Sequence, residues 1–500
     1  MLLNNVTLQG KSIDLADARD HEGANVITLL MGLNGSGKSH LFQTICSAFI
    51  KIPRQNMFNQ GLMAVVNLSD LEQLDSLSYI QGGDFSTLSG YTTILDKRKL
   101  FNLNTNGLSS SELKIPNKVL AVTGSPYDKF PYTDSYSIKK SLDPYVYLGT
   151  KGKRQEGNAY HLGYLSYKFH QLGASFIKLL LKPRQERLDF SKIFEFLNIS
   201  PCFTIKLSFS NRIGIEDINQ KSILGVVRSI KFINERDYEE LDEESERYQL
   251  SNRLVEALQY VAGERLSEHM SDLEPLEVLC KLDLAKETED IKYLSSLSLL
   301  SDYDLVQLED VVFSKPNVNH KLLLTQASSG ELSILFTMSS IAGEIENGSL
   351  ILIDEPELSL HPEWQLRFLS LLNDIFYNYK NCHFIIATHS PNIISSIPDK
   401  NAYIVSIDGN GTKLMPSKMY HNRSADFQLA SIFNAPGNNN EYLLSQVIEV
   451  LDGVCKSNEV SDELLIRAKW LLTFEKQLKD GDKVKTLLKI LKQTMEALHI

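Results

Sequence analysis

The chain has 500 residues, of which 43% are hydrophobic and 23% are charged, and its formal net charge is −11 at pH 7. This length predicts roughly three domain-sized units, or one large fold that carries insertions. The composition excludes a uniformly basic nucleic-acid binder, and the absence of an apolar run of about 18 residues excludes a membrane span. The N-terminal segment lacks the pattern of a secretory signal, and five widely spaced cysteines predict reduced thiols, so we expect a cytoplasmic protein without membrane contact.

The clearest pattern lies near the N-terminus. A short strand is predicted near Leu3–Leu8, and the apolar run Val26–Met31 predicts a strand that leads into Gly32–Ser39. The amphipathic run Leu41–Ile50 predicts a helix directly afterwards. Gly32–Ser39 matches the G-x-x-x-x-G-K-[ST] pattern, whose glycines let successive backbone N–H groups face one phosphate at a helix N-terminus. The sequence therefore predicts a phosphate-binding loop.

This loop predicts that ATP and Mg²⁺ are bound. Lys38 can reach the terminal phosphates of a nucleotide, and the hydroxyl of Ser39 can hold Mg²⁺. The residues expected to contact the nucleotide here are Asn34, Gly35, Ser36, Gly37, Lys38, Ser39 and His40.

The stretch after the first helix is polar and mixed. Leu62–Leu68 and Tyr91–Leu95 are candidate strands. Val119–Val122 predicts a buried parallel strand whose carboxyl end opens into a loop that contains Asp128. Open α/β sheets bind ligands in such loops, so we expect this one to border the site.

The middle of the chain, from about residue 157 to 305, is predicted to be mainly helical. Tyr160–Leu181, Glu235–Met270 and Pro275–Leu300 show helical periodicity, whereas Phe203–Phe209 and Val226–Ile233 are candidate strands. No heptad pattern is sustained over this region, which excludes a long coiled-coil arm.

Charge is unevenly distributed in this middle region. Residues 139–187 hold ten Lys and Arg against three Asp and Glu, and residues 234–304 hold seven against twenty. The tract from Lys151 to Arg187 interleaves cations with aromatic residues, which suits a groove along a DNA backbone. A solvated helix face explains the same pattern equally well. Glu235–Glu246 is likewise either a solvated helix or a docking face for a basic partner.

A second glycine-bearing segment follows strand-like alternation at residues 309–325. Residues 326–332, Gln-Ala-Ser-Ser-Gly-Glu-Leu, predict a small polar turn that opens a helix running to about Ala342. Free N–H groups and hydroxyls at a helix start can bind an anion, although alone they indicate only an N-cap. In view of the segments that follow, we assign a nucleotide contact to Ser328, Ser329, Gly330 and Glu331.

Two further strands are predicted to end in polar residues. The apolar run Leu350–Ile353 predicts a buried parallel strand with Asp354 and Glu355 at its carboxyl end. Asp354 can hold Mg²⁺, and Glu355 can position or deprotonate a water. After a helix at residues 363–379, residues 383–391 predict another strand, with the polar residues Thr388, His389 and Ser390 at its end. Because these ends share one sheet edge, we expect His389 to contact a γ-phosphate.

Together, these residues resemble the ABC-type ATPase heads, and within them the soluble defence and repair branch of SMC- and OLD-like proteins. The phosphate loop 32–39, the signature 327–331, the acidic pair 354–355, the loop 357–362 and His389 occur in the family's order. Ala327 and the lack of a clear glutamine loop depart from the transporter pattern. The resemblance implies an α/β fold with a mixed sheet flanked by helices. It divides the chain into a split head at 1–138 and 305–421, a mainly helical insertion at 139–304, and a C-terminal helical module at 422–500.

The layout further resembles the ATPase of Septu-type antiphage systems, including retron-associated versions, at residues 121–130 and 433–444. This resemblance implies an ATP-hydrolysing subunit that controls a separate HNH nuclease. The resemblance to ABC-type heads implies a homo-oligomer in which two chains enclose two ATP molecules, and each signature completes the other chain's site. In this arrangement Glu355 and His389 are catalytic, and Ser39 and Asp354 hold Mg²⁺.

Two other functions fit the same residues, namely a DNA repair or recombination ATPase of the ABC type and a nucleotide-sensing scaffold with little turnover. A related family fuses the head to a Toprim nuclease. Here, residues 440–451, 461–479 and 482–499 predict only helices, and the Asp-Gly-Asp at residues 480–482 predicts a turn between two of them.

Overall fold

The computed structural model describes residues 1–17, 23–32, 35–56, 64–65, 71, 73–92, 99–105, 115–131, 144–151, 164–209, 243–266, 277–283, 290–303, 305–315, 321–408, 411–456 and 460–498. The candidate strand at residues 226–233 lies outside the described residues, as do Asn34 and most of the candidate strand at residues 62–68. No helix in the described ranges is both long enough and apolar enough to cross a membrane.

A seven-stranded sheet organises the described part of the chain. Its neighbouring strands are parallel except for one antiparallel pair at the edge, β16 with β17, and its spatial order is β17-β16-β3-β15-β14-β8-β9. The strands are β3 (Val26–Met31), β8 (Val119–Thr123), β9 (Tyr145–Leu148), β14 (Leu350–Asp354), β15 (His383–Ala387), β16 (Ala402–Asp408) and β17 (Gly411–Pro416). The expected mixed α/β fold with a parallel-rich sheet is therefore confirmed.

Two smaller antiparallel sheets accompany it. A six-stranded sheet has the order β2-β1-β5-β6-β7-β4, and a four-stranded sheet has the order β11-β10-β12-β13. The first contains β1 (Leu2–Leu8), β2 (Lys11–Asp14), β4 (Ala64–Val65), β5 (Leu74–Gln81), β6 (Asp84–Thr92) and β7 (Lys99–Thr105). The second contains β10 (Cys202–Phe209), β11 (Glu277–Asp283), β12 (Val306–Ser314) and β13 (Lys321–Leu323).

The helices cover the sheets and form a separate group at the C-terminal end. They are α1 (Lys38–Asn56), α2 (Tyr164–Leu180), α3 (Arg184–Phe196), α4 (Glu243–Leu266), α5 (Ile291–Asp302), α6 (Ser329–Glu344), α7 (Pro362–Phe376), α8 (Pro391–Ser395), α9 (Ala425–Ser431), α10 (Glu441–Lys456), α11 (Asp462–Leu472) and α12 (Lys483–Ala497). The predicted helices at residues 160–181 and 363–379 and the three C-terminal ones are confirmed with shifted ends. Asp482 caps α12, so the predicted turn at 480–482 is confirmed.

The seven-stranded sheet is buried on both faces because its strands are almost entirely apolar. In β14, Ile351 and Ile353 join the hydrophobic cluster on one face, and Leu350 and Leu352 join the cluster on the other. This alternation follows from the twofold side-chain period of a strand. Helix α1 packs into the second cluster and α6 into the first. Asp354, at the carboxyl end of β14, is therefore held by a strand that is packed on both faces.

Strands were missed in the middle region. The helical prediction for Pro275–Leu300 is wrong at β11, which instead pairs antiparallel with β10 along its full length. β9 belongs to the seven-stranded sheet although it lies beyond residue 138, and β12 joins the sheet of β10 and β11 across residue 304. The three-part division of the chain stays a prediction, but both of its internal boundaries are bridged by sheets.

Candidate nucleotide-binding site

The phosphate loop connects β3 to α1 in the predicted way. Gly35 and Gly37 have φ angles of +81° and +97°, a region that disfavours residues with a Cβ atom. At Gly32, a Cβ atom would lie 2.4 Å from the carbonyl oxygen of Ile407 and 2.5 Å from Oγ of Ser36. The glycines at these three positions are therefore required by backbone conformation or by a close contact.

Lys38 is the first residue of α1 and is only 5% exposed. Its Nζ atom donates hydrogen bonds to the carbonyl oxygen of Gly32 at 2.9 Å and to Oγ of Ser36 at 3.4 Å. Burial lowers the pKa of Lys38, whereas the nearby carboxylates of Asp354, Glu355 and Glu357 act in the opposite direction. The fold thus places the buried ammonium group of Lys38 close enough to three carboxylates to interact with their charges.

Asp354 ends β14, where it lies level with Ala387 on one neighbouring strand and Thr123 on the other. Burial, and then the charge of Glu355, raises the pKa of Asp354 to about 7, against a hydrogen bond from the Ser39 side chain that lowers it. Its Oδ1 atom is buried and has no hydrogen-bond partner among the described residues. An unsatisfied carboxylate oxygen beside a hydroxyl fits Mg²⁺, which prefers oxygen ligands.

Glu355 and His389 lie on adjacent strand ends. The backbone of Glu355 is left-handed, with φ of +50°, and its N–H donates a hydrogen bond to the carbonyl oxygen of Ala387 at 2.9 Å. Oε1 of Glu355 lies 3.9 Å from Nε2 of His389. Burial and the charge of Lys38 lower the pKa of His389, although Glu355 opposes them, so the imidazole is neutral at pH 7. The structure brings these two predicted catalytic residues together.

The signature segment forms the start of α6. Ser328 is its N-cap, and Ser328 and Glu331 form a reciprocal capping box. Ser328 and Ser329 are exposed, whereas Gly330 is buried. A Cβ atom at residue 330 would lie 3.0 Å from the ring of Trp364 and 3.1 Å from the carbonyl oxygen of Ser359. The signature helix therefore packs on the 357–362 loop and presents its first residues to solvent.

His40 lies in the first turn of α1, as expected for a residue beside the phosphate loop. Its Nδ1 atom is 3.3 Å from the hydroxyl of Thr44, which also donates to the carbonyl oxygen of His40. The described contacts of His40 are thus within its own helix.

Most of the described cations in the tract from Lys151 to Arg187 are engaged within the chain. Lys151 pairs with the buried carboxylate of Asp128 at 2.9 Å. Lys178 pairs with Glu344 at 2.7 Å and Asp302 at 2.9 Å. Lys182 donates to a backbone carbonyl oxygen, and Arg187 is buried, while Arg184 is exposed. Lys178 thus attaches α2 to both α5 and α6. The DNA contact stays a prediction.

The contact between Glu357 and the His389 segment was not predicted from the sequence. Oε1 of its side chain accepts a hydrogen bond from the backbone N–H of His389 at 2.6 Å. The sequence signal that could have indicated this contact is a third carboxylate, Glu357, shortly after the acidic pair. The partnership of Gln365 with Ser390 at 2.7 Å was also missed, because nothing in the sequence pairs residues on two separate elements.

Known proteins resemble parts of the chain. A family model described as AAA domain, putative AbiEii toxin, Type IV TA system matches residues 212–395. The chain is 34% identical over 133 residues to Protein ea59 of Escherichia phage lambda, covering 25% of this chain and 24% of that protein. It is 30% identical over 135 residues to the Retron Ec83 probable ATPase of Escherichia coli, covering 25% and 23%. A third relative, the Retron Vc95 probable ATPase of Vibrio cholerae serotype O1 biovar El Tor, is 24% identical over 173 residues, covering 34% and 30%. The matches therefore span less than a third of these relatives' lengths.

Solved structures of SMC heads also align with the chain. One is a head bound to the C-winged helix domain of ScpA, with a TM-score of 0.30, 14% identity and coverage of 83% of this chain and 97% of that one. Another is the head domain from Thermotoga maritima, with a TM-score of 0.30, 13% identity and coverage of 83% and 99%. The matching family model is described as an AAA domain, and two of the relatives are named as probable ATPases.

Proposed function

We propose that the chain binds ATP with Mg²⁺ and hydrolyses it. The observation that carries this proposal is the convergence of Lys38, Ser39, Asp354, Glu355 and His389 at one end of the parallel strands. Lys38 and Ser39 begin the helix that follows β3. The acidic pair lies at the end of β14, and His389 follows β15. Such an arrangement of a phosphate loop, a metal carboxylate and a second carboxylate is what phosphoryl transfer to water needs.

Each of these residues has its own role in binding or hydrolysing ATP. The loop amides and Lys38 hold the phosphates, and Ser39 with Asp354 would hold Mg²⁺, which supplies charge neutralisation at the phosphates when bound. Glu355 orients a water and accepts its proton. His389, neutral at pH 7, donates a hydrogen bond to the γ-phosphate and is kept beside Glu355.

The central test is Glu355→Gln. We expect turnover to fall at least about 100-fold because the general base is lost, while ATP binding measured by a fluorescent analogue stays unchanged. Glu346→Gln is the matched control, since Glu346 precedes the same strand at its opposite end and is half-exposed. Normal turnover in the Glu355→Gln protein would refute this assignment.

The second element of the proposal is an ATP-bridged dimer, in which Ser328 and Gly330 of one copy reach the nucleotide held by Lys38 of the other. The exposure of Ser328 and Ser329 supports it, since these residues are accessible to another copy. Ser328→Arg should abolish cooperative turnover and ATP-dependent dimerisation, measured by light scattering, without loss of ATP binding. Unchanged cooperativity would exclude the shared site.

We further propose that this ATPase serves a defence complex and controls a separate HNH nuclease. The two relatives named as probable ATPases of retrons support the defence setting. The test is co-expression of the chain with its genomic neighbours, followed by phage infection. Lys38→Ala and Glu355→Gln should each abolish protection, whereas Glu346→Gln should retain it. Full protection by both site variants would instead favour a scaffold that works without turnover.

A further inference from the structure

Glu357 bonds the acidic loop, which we define as residues 355–361, to the end of the neighbouring strand. Its Oε1 atom accepts the backbone N–H of His389 at 2.6 Å. Burial raises the pKa of the Glu357 carboxyl, and hydrogen bonds from the His389 backbone and the Thr388 side chain lower it again. The Oε1 atom is therefore held by the backbone of His389, whereas Oε2 is buried and has no hydrogen-bond partner among the described residues.

The acidic loop needs such contacts because its own backbone is unfavourable. Glu355 and Ser359, on either side of Glu357, have φ angles of +50° and +68°. Non-glycine residues rarely adopt this region, so surrounding contacts must hold the loop in place. On its other side, the loop is attached to α6 by a hydrogen bond of 3.3 Å from Oγ of Ser333 to the carbonyl oxygen of Leu358. Glu357 provides the corresponding attachment to the His389 segment.

We infer that Glu357 is a positioning residue whose carboxylate fixes the backbone of His389 and so keeps the imidazole beside Glu355. The imidazole is 28% exposed, so packing covers only part of it, and its Nε2 atom lies 3.9 Å from Oε1 of Glu355. An anchor at the backbone of the same residue limits where the ring can go. This inference rests on the proposed ATPase function, and it assigns Glu357 an effect through His389 rather than a contact with the nucleotide.

The test compares Glu357→Leu with Glu357→Gln in the full chain. Leucine has a similar volume but no acceptor, so we expect kcat to fall about 30-fold, within the range of small misplacements of catalytic groups. Glutamine keeps a carbonyl oxygen for the His389 N–H, so kcat should stay within about threefold of the unmodified chain. The ATP dissociation constant should stay within about threefold in both variants, because the phosphate loop is untouched. Unchanged kcat in a folded Glu357→Leu protein would overturn the inference.

A double-mutant cycle separates positioning from general stability. If Glu357 acts through His389, Glu357→Leu should cause no further loss of kcat in a His389→Ala protein. Losses that multiply would overturn the inference. Should Glu357→Leu fail to fold, Glu357→Asp decides in the same cycle, since its shorter side chain withdraws the acceptor while keeping the charge. We expect about a tenfold loss for it, again only when His389 is present.

The outcomes also distinguish this inference from the proposed function. If Lys38→Ala and Glu355→Gln leave turnover unchanged, the ATPase assignment fails regardless of Glu357. If both abolish turnover while Glu357→Leu and Glu357→Asp are fully active, only the positioning role fails.

Discussion

Ser328 and Glu331 are hydrogen-bonded to each other twice across the first turn of α6. The Glu331 carboxylate accepts the backbone N–H of Ser328 at 2.7 Å, and Oγ of Ser328 accepts the backbone N–H of Glu331 at 3.2 Å. These bonds satisfy two backbone donors that a helix start otherwise leaves unpaired. The start of the signature helix is therefore already ordered in the chain alone.

Removing the Ser328 hydroxyl should cost stability as well as activity. We expect Ser328→Ala to lower the free energy of unfolding by about 1 kcal/mol, because the N–H of Glu331 loses its acceptor. Urea unfolding measures this, and Ser328→Thr serves as the control that keeps a capping hydroxyl. Equal stability of all three proteins would show that the cap contributes nothing.

A methyl group at Gly32 should disturb the phosphate loop. Its Cβ atom would lie 2.4 Å from the carbonyl oxygen of Ile407, so either β16 or the loop must move. We expect Gly32→Ala to destabilise the chain by about 1–3 kcal/mol, as overpacking does elsewhere, and to weaken ATP binding at least about tenfold. Calorimetry of ATP binding and thermal unfolding measure the two effects.

Gly124→Ala is the matched control for this prediction. Gly124 lies at the same end of the sheet, after β8, and among the described residues its added Cβ atom would meet only Oγ of Ser333 at an ordinary 4.0 Å. We expect unchanged stability and binding there. Equal behaviour of both variants would contradict a special requirement at Gly32.

Lys168 and Lys178, on the same helix α2, should respond in opposite ways to replacement by Met. Burial alone lowers the pKa of Lys168 to about 8, and its Nζ atom lies 4.9 Å from the Phe336 ring centroid. Burial also lowers the pKa of Lys178, but the carboxylates of Glu344 and Asp302 outweigh it and raise the pKa. Lys168→Met should therefore stabilise the chain by about 1 kcal/mol at pH 7, after discounting for exposure and the lost ring contact.

The stability gained by Lys168→Met should depend on pH. Between pH 8 and the ordinary pKa of 10.5, Lys168 is protonated in a larger fraction of unfolded chains than of folded chains. The stability contribution of Lys168 thus rises with pH across this interval, and the advantage of Lys168→Met should shrink there. Lys178→Met should instead destabilise by about 1–2 kcal/mol, since it leaves two partly exposed carboxylates without their cation. Urea titrations at pH 7 and pH 9.5 test both, and a stabilised Lys178→Met protein would contradict a stabilising role of these ion pairs.

Lys151→Met should reduce stability rather than DNA binding. The Asp128 side chain is fully buried, and Lys151 is its cation at 2.9 Å. Because the backbone N–H of Phe130 and the hydroxyl of Tyr147 also donate to Asp128, we expect a loss of about 2 kcal/mol, below the usual cost of breaking a buried pair. Arg184→Met, at an exposed position, should change stability by less than about 0.5 kcal/mol. Salt-dependent DNA binding that Arg184→Met weakens without destabilising the chain would support the DNA contact instead.

Local patterns were sufficient to predict the strand, loop and helix around Lys38 and the two apolar strands that end at Asp354 and before His389. Each of these rests on residues that are adjacent in the chain, such as glycines at fixed spacing or a short apolar run. By contrast, β11 was mistaken for helix because a short segment shows its strand character only when it pairs, here with β10. β9 was likewise not predicted, since its strand character depends on parallel pairing with β8, which lies earlier in the chain.

Glycine conformation, strand hydrophobicity and carboxylate chemistry are local properties, so the residue types at the candidate site could be identified from neighbouring residues alone. Which of these residues meet depends on how the chain folds. The order of strands sets Glu355 beside His389, joins Glu357 to the His389 backbone, and pairs Lys151 with Asp128. Such contacts depend on the register of parallel strands and on helix packing, which couple residues far apart in the chain and leave no periodic mark in the sequence.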